Sequence, residues 1–145
     1  MTDAKRTAAE LSNMYHTNDP IDLADHLGVY TQVGPLGKIY GCCLTIAGER
    51  FIYINSDLDK STQKMVAAHE LGHAVMHQED YFFFNWMPDS LHRNRAEIEA
   101  NTFAVELLVP DSVVLDHPGF TLAQLSALTG YAENFLKFKK VGGVL

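Results

Sequence analysis

The chain has 145 residues, 47% of them apolar and 20% charged, which is enough for one domain with a real core and unlike a disordered composition. Eleven Lys and Arg against 18 Asp and Glu give a formal net charge of −7, an argument against non-specific binding to nucleic acid or to an anionic membrane. Two adjacent cysteines, Cys42 and Cys43, cannot build a disulfide framework. No apolar run approaches the ~20 residues of a membrane span, and no signal-like apolar core follows the basic start at Lys5 and Arg6. The expectation is a cytoplasmic protein with one domain over residues 1–145, of which 141–145 form a frayed tail.

In chain order, residues 3–14 place Ala4, Ala8 and Leu11 at helical spacing on an otherwise polar segment, the pattern of a surface helix. Asp19 and Pro20 then supply a cap and a first-turn proline for a short helix that Gly28 stops. Residues 29–33, 39–46 and 50–55 are rich in β-branched and aromatic side chains and are separated by glycine-containing turns. They predict three short antiparallel strands.

The helical pattern returns over residues 61–78, with apolar side chains almost all the way round, which marks a buried helix. It contains His69-Glu70-Leu71-Gly72-His73. Residues four apart stand on one helix face, so His69 and His73 can hold one zinc ion at ~2.0–2.1 Å. Glu70 lies about 100° round the helix, beside the metal, where a carboxylate can take a proton from water that the metal acidifies towards a pKa of ~7. Two histidines and a glutamate in an apolar helix cost free energy without partners. Gly72 costs roughly 1 kcal/mol there against alanine, which suggests a close neighbour. His77, a further turn along a straight helix, is poorly placed to join both histidines around one ion and reads as a supporting or solvated residue.

A catalytic zinc usually has a third protein ligand. The next helical segment begins at a capping box formed by Asn94 and Glu97 and is stopped by Pro110. Its core stripe is Ala96, Ala100, Phe103, Ala104, Leu107 and Leu108, with Glu99 and Glu106 together at one edge. Periodicity nominates Glu99 and Glu106 equally. Glu97 points into the stripe from the first turn and reads as a capping residue.

These motifs resemble the ImmA/IrrE family of metallopeptidases over nearly the whole chain. The resemblance rests on residues 19–28 as an entry helix, Ile52-Tyr53-Ile54-Asn55 before the active helix, Ala68 to His73 with a following histidine, and residues 99–110 as a second signature. It implies an α+β, zincin-like fold in which His69, His73 and Glu99 bind Zn2+ and Glu70 is the catalytic base. The implied activity is site-specific cleavage of a helix-turn-helix repressor, relieving repression of a prophage, mobile element or stress genes. Residues 63–67 and the C-terminal part from Thr121 depart from the usual family pattern.

Tyr53, His77, His92 and Arg93 are candidate donors to an oxyanion beside the metal. Tyr81 to Phe84 with Trp86 reads as a short edge strand or loop in preference to a substrate rim. One of Cys42 and Cys43 is expected to face inward as a small hydrophobe. Helix-turn-helix-like spacing surrounds Thr129 and Gly130, but only Lys137, Lys139 and Lys140 supply positive charge there, which disfavours DNA binding. The acidic balance instead suits a basic protein partner. A second reading is a zinc-stabilised module that docks to a repressor or antitoxin without cutting it; a purely structural zinc has no use for Glu70.

Overall fold

The computed structural model describes residues 3–77, the backbone of 81–84, and 95–139. The architecture is α+β. Among the described residues the order is α1 (Asp3–Tyr15), α2 (Pro20–His26), β1 (Tyr30–Gly34), β2 (Gly41–Ile46), β3 (Glu49–Asn55), α3 (Lys60–Met76) and β4 (Tyr81–Phe84). Then follow α4 (Arg95–Leu108), α5 (Asp111–Leu115), α6 (Leu122–Thr129) and α7 (Glu133–Leu136). No helix among these residues is long and apolar enough to cross a membrane.

The expected three-stranded antiparallel sheet is corrected to a mixed sheet of four strands in the order β1-β3-β2-β4. Ala47 (φ 52°) and Gly48 (φ 80°) both take left-handed backbone, which closes β2 and β3 into a tight hairpin. That hairpin leaves two edges. β1 takes the outer edge of β3 and runs parallel to it, with Tyr30 opposite Phe51. β4 takes the outer edge of β2 and runs antiparallel, with Gly41 opposite Phe84. β1 and β2 run in opposite directions, so a β1 placed beyond β3 has to be parallel to it. Hydrophobic alternation carries no information about that choice.

The long connection from β1 to β2 is held by one side chain. Asn55, only 3% exposed, donates from Nδ2 to the carbonyls of Gly37 (3.0 Å) and Ile39 (2.9 Å). Its Oδ1 accepts from the backbone N–H of Asp57 at 3.0 Å. A buried carbonyl without a partner costs about 1–3 kcal/mol, so this amide fixes where β2 begins.

Both cysteines are free and buried, so burial extends beyond the one expected to face inward. β2 is an interior strand of the sheet, and α3 packs against it, so neither residue is left at an open edge. Burial, and then the charge of Glu70, push the Cys43 thiol up to about 11, which keeps it protonated and unreactive.

Asp59 caps α3 by accepting from the N–H of Thr62 at 2.8 Å. Nine consecutive residues, Met65 to His73, are buried. A helix buried all round needs partners on several sides, and α3 has them in β2, β3, α2 and α4. The most extensive of these contacts is with α4. A second knot ties the chain's ends together. Lys139, 1% exposed, donates to Glu106 and Asp111, and Lys5 of α1 donates to the same two carboxylates at 3.0 and 2.9 Å. One of the three C-terminal lysines is therefore committed to the interior. Lys140 and the 141–145 tail lie outside the described residues.

Candidate metal centre

The expected helix over 61–78 ends earlier, at Met76, and His77 is its extended C-cap with φ −122° and ψ 143°. Within α3, His69, Glu70 and His73 are each 0% exposed. The two imidazoles meet edge to face with ring centroids 4.9 Å apart, as i, i+4 spacing on one helix face requires.

The third residue at this pair is Glu97 of α4. Its Oε2 lies 2.9 Å from His69 Nε2 and its Oε1 lies 2.9 Å from His73 Nε2. The ligand atoms of His69, His73 and Glu97 all fall within 4.8 Å of one another. Ligands at ~2.0–2.1 Å in a tetrahedron stand roughly 3.3 Å apart, so small side-chain adjustments would seat an ion among these three.

Glu99 and Glu106 are not at the histidine pair. Glu99 is 36% exposed, accepts from Arg95 Nε at 3.2 Å, and lies 3.8 Å from His77 Nε2. Glu106 belongs to the lysine knot. The reason is rotation. The α4 face turned to α3 passes through Ala100, since a Cβ on Gly72 would stand 3.2 Å from Ala100 Cα and 3.1 Å from Phe103 Cδ1. Glu97 lies one turn before Ala100 and Asn101 four residues after Glu97, so both look at His69. Glu99 is about 200° away from Glu97.

The missed signal was in the periodicity itself: Glu97 falls within the apolar stripe, where a carboxylate needs a partner. Asn101 is a second such residue. Its Oδ1 lies 2.8 Å from His69 Nδ1 and, in this orientation of the amide, accepts the Nδ1 proton. Gly41 is a third. A Cβ there would fall 2.5 Å from Val66 Cγ1 and 3.5 Å from Glu70 Cγ, so β2 starts with bare backbone against α3. A glycine inside a strand pattern is the sequence sign of such an approach.

The electrostatics fit a cation. Asn101 and Glu97 set an oxygen against each nitrogen of His69, and a neutral imidazole has one N–H to give. Burial pushes the His73 pKa down to about 4 despite the opposing pull of Glu97, so the His73 ring brings no charge of its own to Glu97 at neutral pH. Burial acts to raise Glu97, but the two imidazoles against its oxygens outweigh it and hold the group well below the usual carboxylate range. Glu70 is pushed well above its ordinary value by burial and then by the charge of Glu97. Neither Glu70 oxygen has a hydrogen-bond partner among the described residues. A buried carboxylate with nothing to bond is costly; a polar guest beside the two histidines would relieve it. Two imidazoles and one carboxylate are a donor set suited to zinc.

Of the other expectations, Tyr53 lies in β3 opposite Cys42, and its carbonyl is 2.9 Å from the position of a Gly41 Cβ. His77 stands against His73, their Nδ1 atoms 2.8 Å apart. The backbone of Tyr81–Phe84 forms β4. Trp86, His92, Arg93 and Asn94 lie outside the described residues.

The family model for the Peptidase_M78, IrrE N-terminal-like domain matches residues 14–124. The chain is also similar to "Uncharacterized immunity region protein 2" of Bacillus phage phi105, with 33% identity over 138 residues, covering 93% of this chain and 87% of the relative.

Proposed function

Since the chain belongs to the Peptidase_M78 family of IrrE N-terminal-like domains, we propose that it is a zinc-dependent endopeptidase whose substrate is a repressor-like protein. The ligands in this reading are His69, His73 and Glu97, replacing the Glu99 that the motif resemblance nominated. The single observation that carries it is the buried carboxylate of Glu70, next in the chain to His69 and without a hydrogen-bond partner among the described residues.

Zinc bound there would supply Lewis acidity, acidifying water and polarising a peptide carbonyl. The chain's own residues do the remainder. Asn101 fixes the His69 ring so that Nε2 faces the centre. Glu70 accepts the water proton at a carboxylate oxygen and passes it to the leaving amine nitrogen. Burial disfavours the ionised form of Glu70, and a cation held by His69, His73 and Glu97 would favour it again.

The repressor part of the proposal draws support from the phage immunity-region name of the relative and from the charge balance. A −7 chain attracts a basic DNA-binding protein at low salt. The test uses purified protein, wild type and Glu70→Gln, incubated with purified helix-turn-helix repressors from the same genome. Both are expected to hold one zinc per chain by metal analysis, and wild type alone is expected to cleave. Equal cleavage by the two proteins rejects Glu70 as the base. Tight binding of a repressor by wild type without cleavage favours the docking-module reading.

A further inference from the structure

His77 is used by none of the steps above, yet its placement is specific. α3 stops at Met76, so the His77 backbone turns into extended conformation and its ring swings back against His73. The two Nδ1 atoms are 2.8 Å apart, a hydrogen-bond distance at which one nitrogen must donate and the other accept. On its far side His77 Nε2 lies 3.8 Å from Glu99 Oε2, and Glu99 is held in turn by Arg95 at 3.2 Å. The His77 main chain is pinned as well, because Arg50 of β3 donates from Nη2 to the His77 carbonyl.

We infer that His77 is a positioning residue that sets the tautomer and ring orientation of His73 for metal binding. This rests on the zinc reading of the site. With the His73 proton on Nδ1, that N–H donates to His77 Nδ1, and the lone pair of His73 Nε2 is directed to Glu97 and the centre. His77 then carries its own proton on Nε2, the nitrogen that faces the Glu99 carboxylate. The opposite arrangement, with His77 Nδ1 donating, would put the His73 proton on Nε2 and block the ligand atom. Glu99 therefore biases the pair towards the binding tautomer through His77. Asn101 performs the matching task for His69 from the other helix. Each histidine thus has its Nδ1 fixed by a different neighbour, and outer partners of this kind are worth about 10–100-fold in metal affinity.

The experiment measures zinc affinity by chelator competition on the full chain, and the visible absorption of the Co2+-loaded protein, for wild type, His77→Phe, His77→Asn and His77→Gln. Thermal unfolding of the metal-free proteins reports the fold separately. His77→Phe keeps a flat ring without an acceptor and is expected to bind zinc about 10–100-fold more weakly with an altered Co2+ spectrum. In His77→Asn the Oδ1 atom stands close to the place of Nδ1, accepts from His73, and is expected to restore affinity and spectrum to near wild type. In His77→Gln the oxygen is displaced towards the place of Nε2, and affinity is expected to stay low. Unchanged affinity in His77→Phe overturns the inference, as does His77→Asn binding as weakly as His77→Phe. A loss in His77→Phe as complete as in His73→Ala makes His77 a ligand and also overturns it. If His77→Phe does not fold, the contrast between Asn and Gln decides, and equal affinities reject the role. A wild type that holds no zinc rejects the metal centre itself; a zinc-binding wild type with an indifferent position 77 rejects only the role of His77.

Discussion

Glu97 and Glu99 are two residues apart on α4, and about 200° of helix rotation separates their side chains. One carboxylate touches both buried imidazoles at 2.9 Å, and the other is shared with Arg95 at the surface. Charge and residue type are identical; only the angle relative to α3 differs. Glu97→Ala should therefore lose stoichiometric zinc under conditions in which Glu99→Ala, one step further out through His77, retains it with a loss of affinity no greater than about tenfold, the lower end of the range for outer partners. Zinc content after dialysis against a mild chelator, together with a competition titration, measures both. Retention by Glu97→Ala with loss by Glu99→Ala would remove Glu97 from the ligand set and restore the assignment implied by the motif. The sequence fell short here because a carboxylate in the first turn has an ordinary alternative use as a cap, and only the helix pairing reveals which face is closed.

At the scale of elements, the α3–α4 pair is set by the absence of a side chain. Gly72 costs roughly 1 kcal/mol of helix propensity, and in return Ala100 Cα can come within 3.2 Å of where its Cβ would be. The neighbour at that point is backbone, so a methyl group has to push the helices apart. His69 and His73 lie on one side of this contact and Glu97 and Asn101 on the other. Gly72→Ala should thus leave thermal stability within about 1 kcal/mol of wild type, propensity offsetting overpacking, while zinc affinity falls. A melting curve and a zinc titration on the same variant check it; unaltered affinity would show that the helix spacing is not what sets the site. The glycine was legible as a close-approach signal before any fold was known. What approached it was not, since that contact spans 28 positions in sequence.

On the scale of the whole molecule, Lys5, Glu106, Asp111 and Lys139 join α1, α4, α5 and the segment after α7. Burial acts to raise Asp111, but hydrogen bonds from Lys139 and Lys5 outweigh it, and its pKa lies below the ordinary 3.8. A carboxyl group depressed in the folded state stabilises above its unfolded pKa and loses that stabilisation as pH falls through its folded value. Asp111 is 47% exposed at its side chain, so solvent screening keeps the effect modest. In metal-free protein, the difference in melting temperature between wild type and Asp111→Asn should be constant from pH 7 down to about 4.5 and shrink below about 3.8. A difference independent of pH over that range would mean that the charge of Asp111 contributes nothing to the knot.

The sequence by itself determined the first four helices apart from the exact end of α3, the strands β1 to β3, the burial of α3 and the histidine pair with its glutamate. These follow from local rules, namely the 3.6 and 2.0 residue periods, cap chemistry, and i, i+4 spacing. Tertiary structure alone decided the parallel placement of β1, the early end of α3 that brings His77 back to His73, the burial of Lys139, and the approach of Glu97 instead of Glu99 to the histidine pair. Each of these depends on which face of one element meets another. A periodic pattern marks a face as buried but does not say against what, and a cluster of side chains assembled from two helices is defined by that pairing.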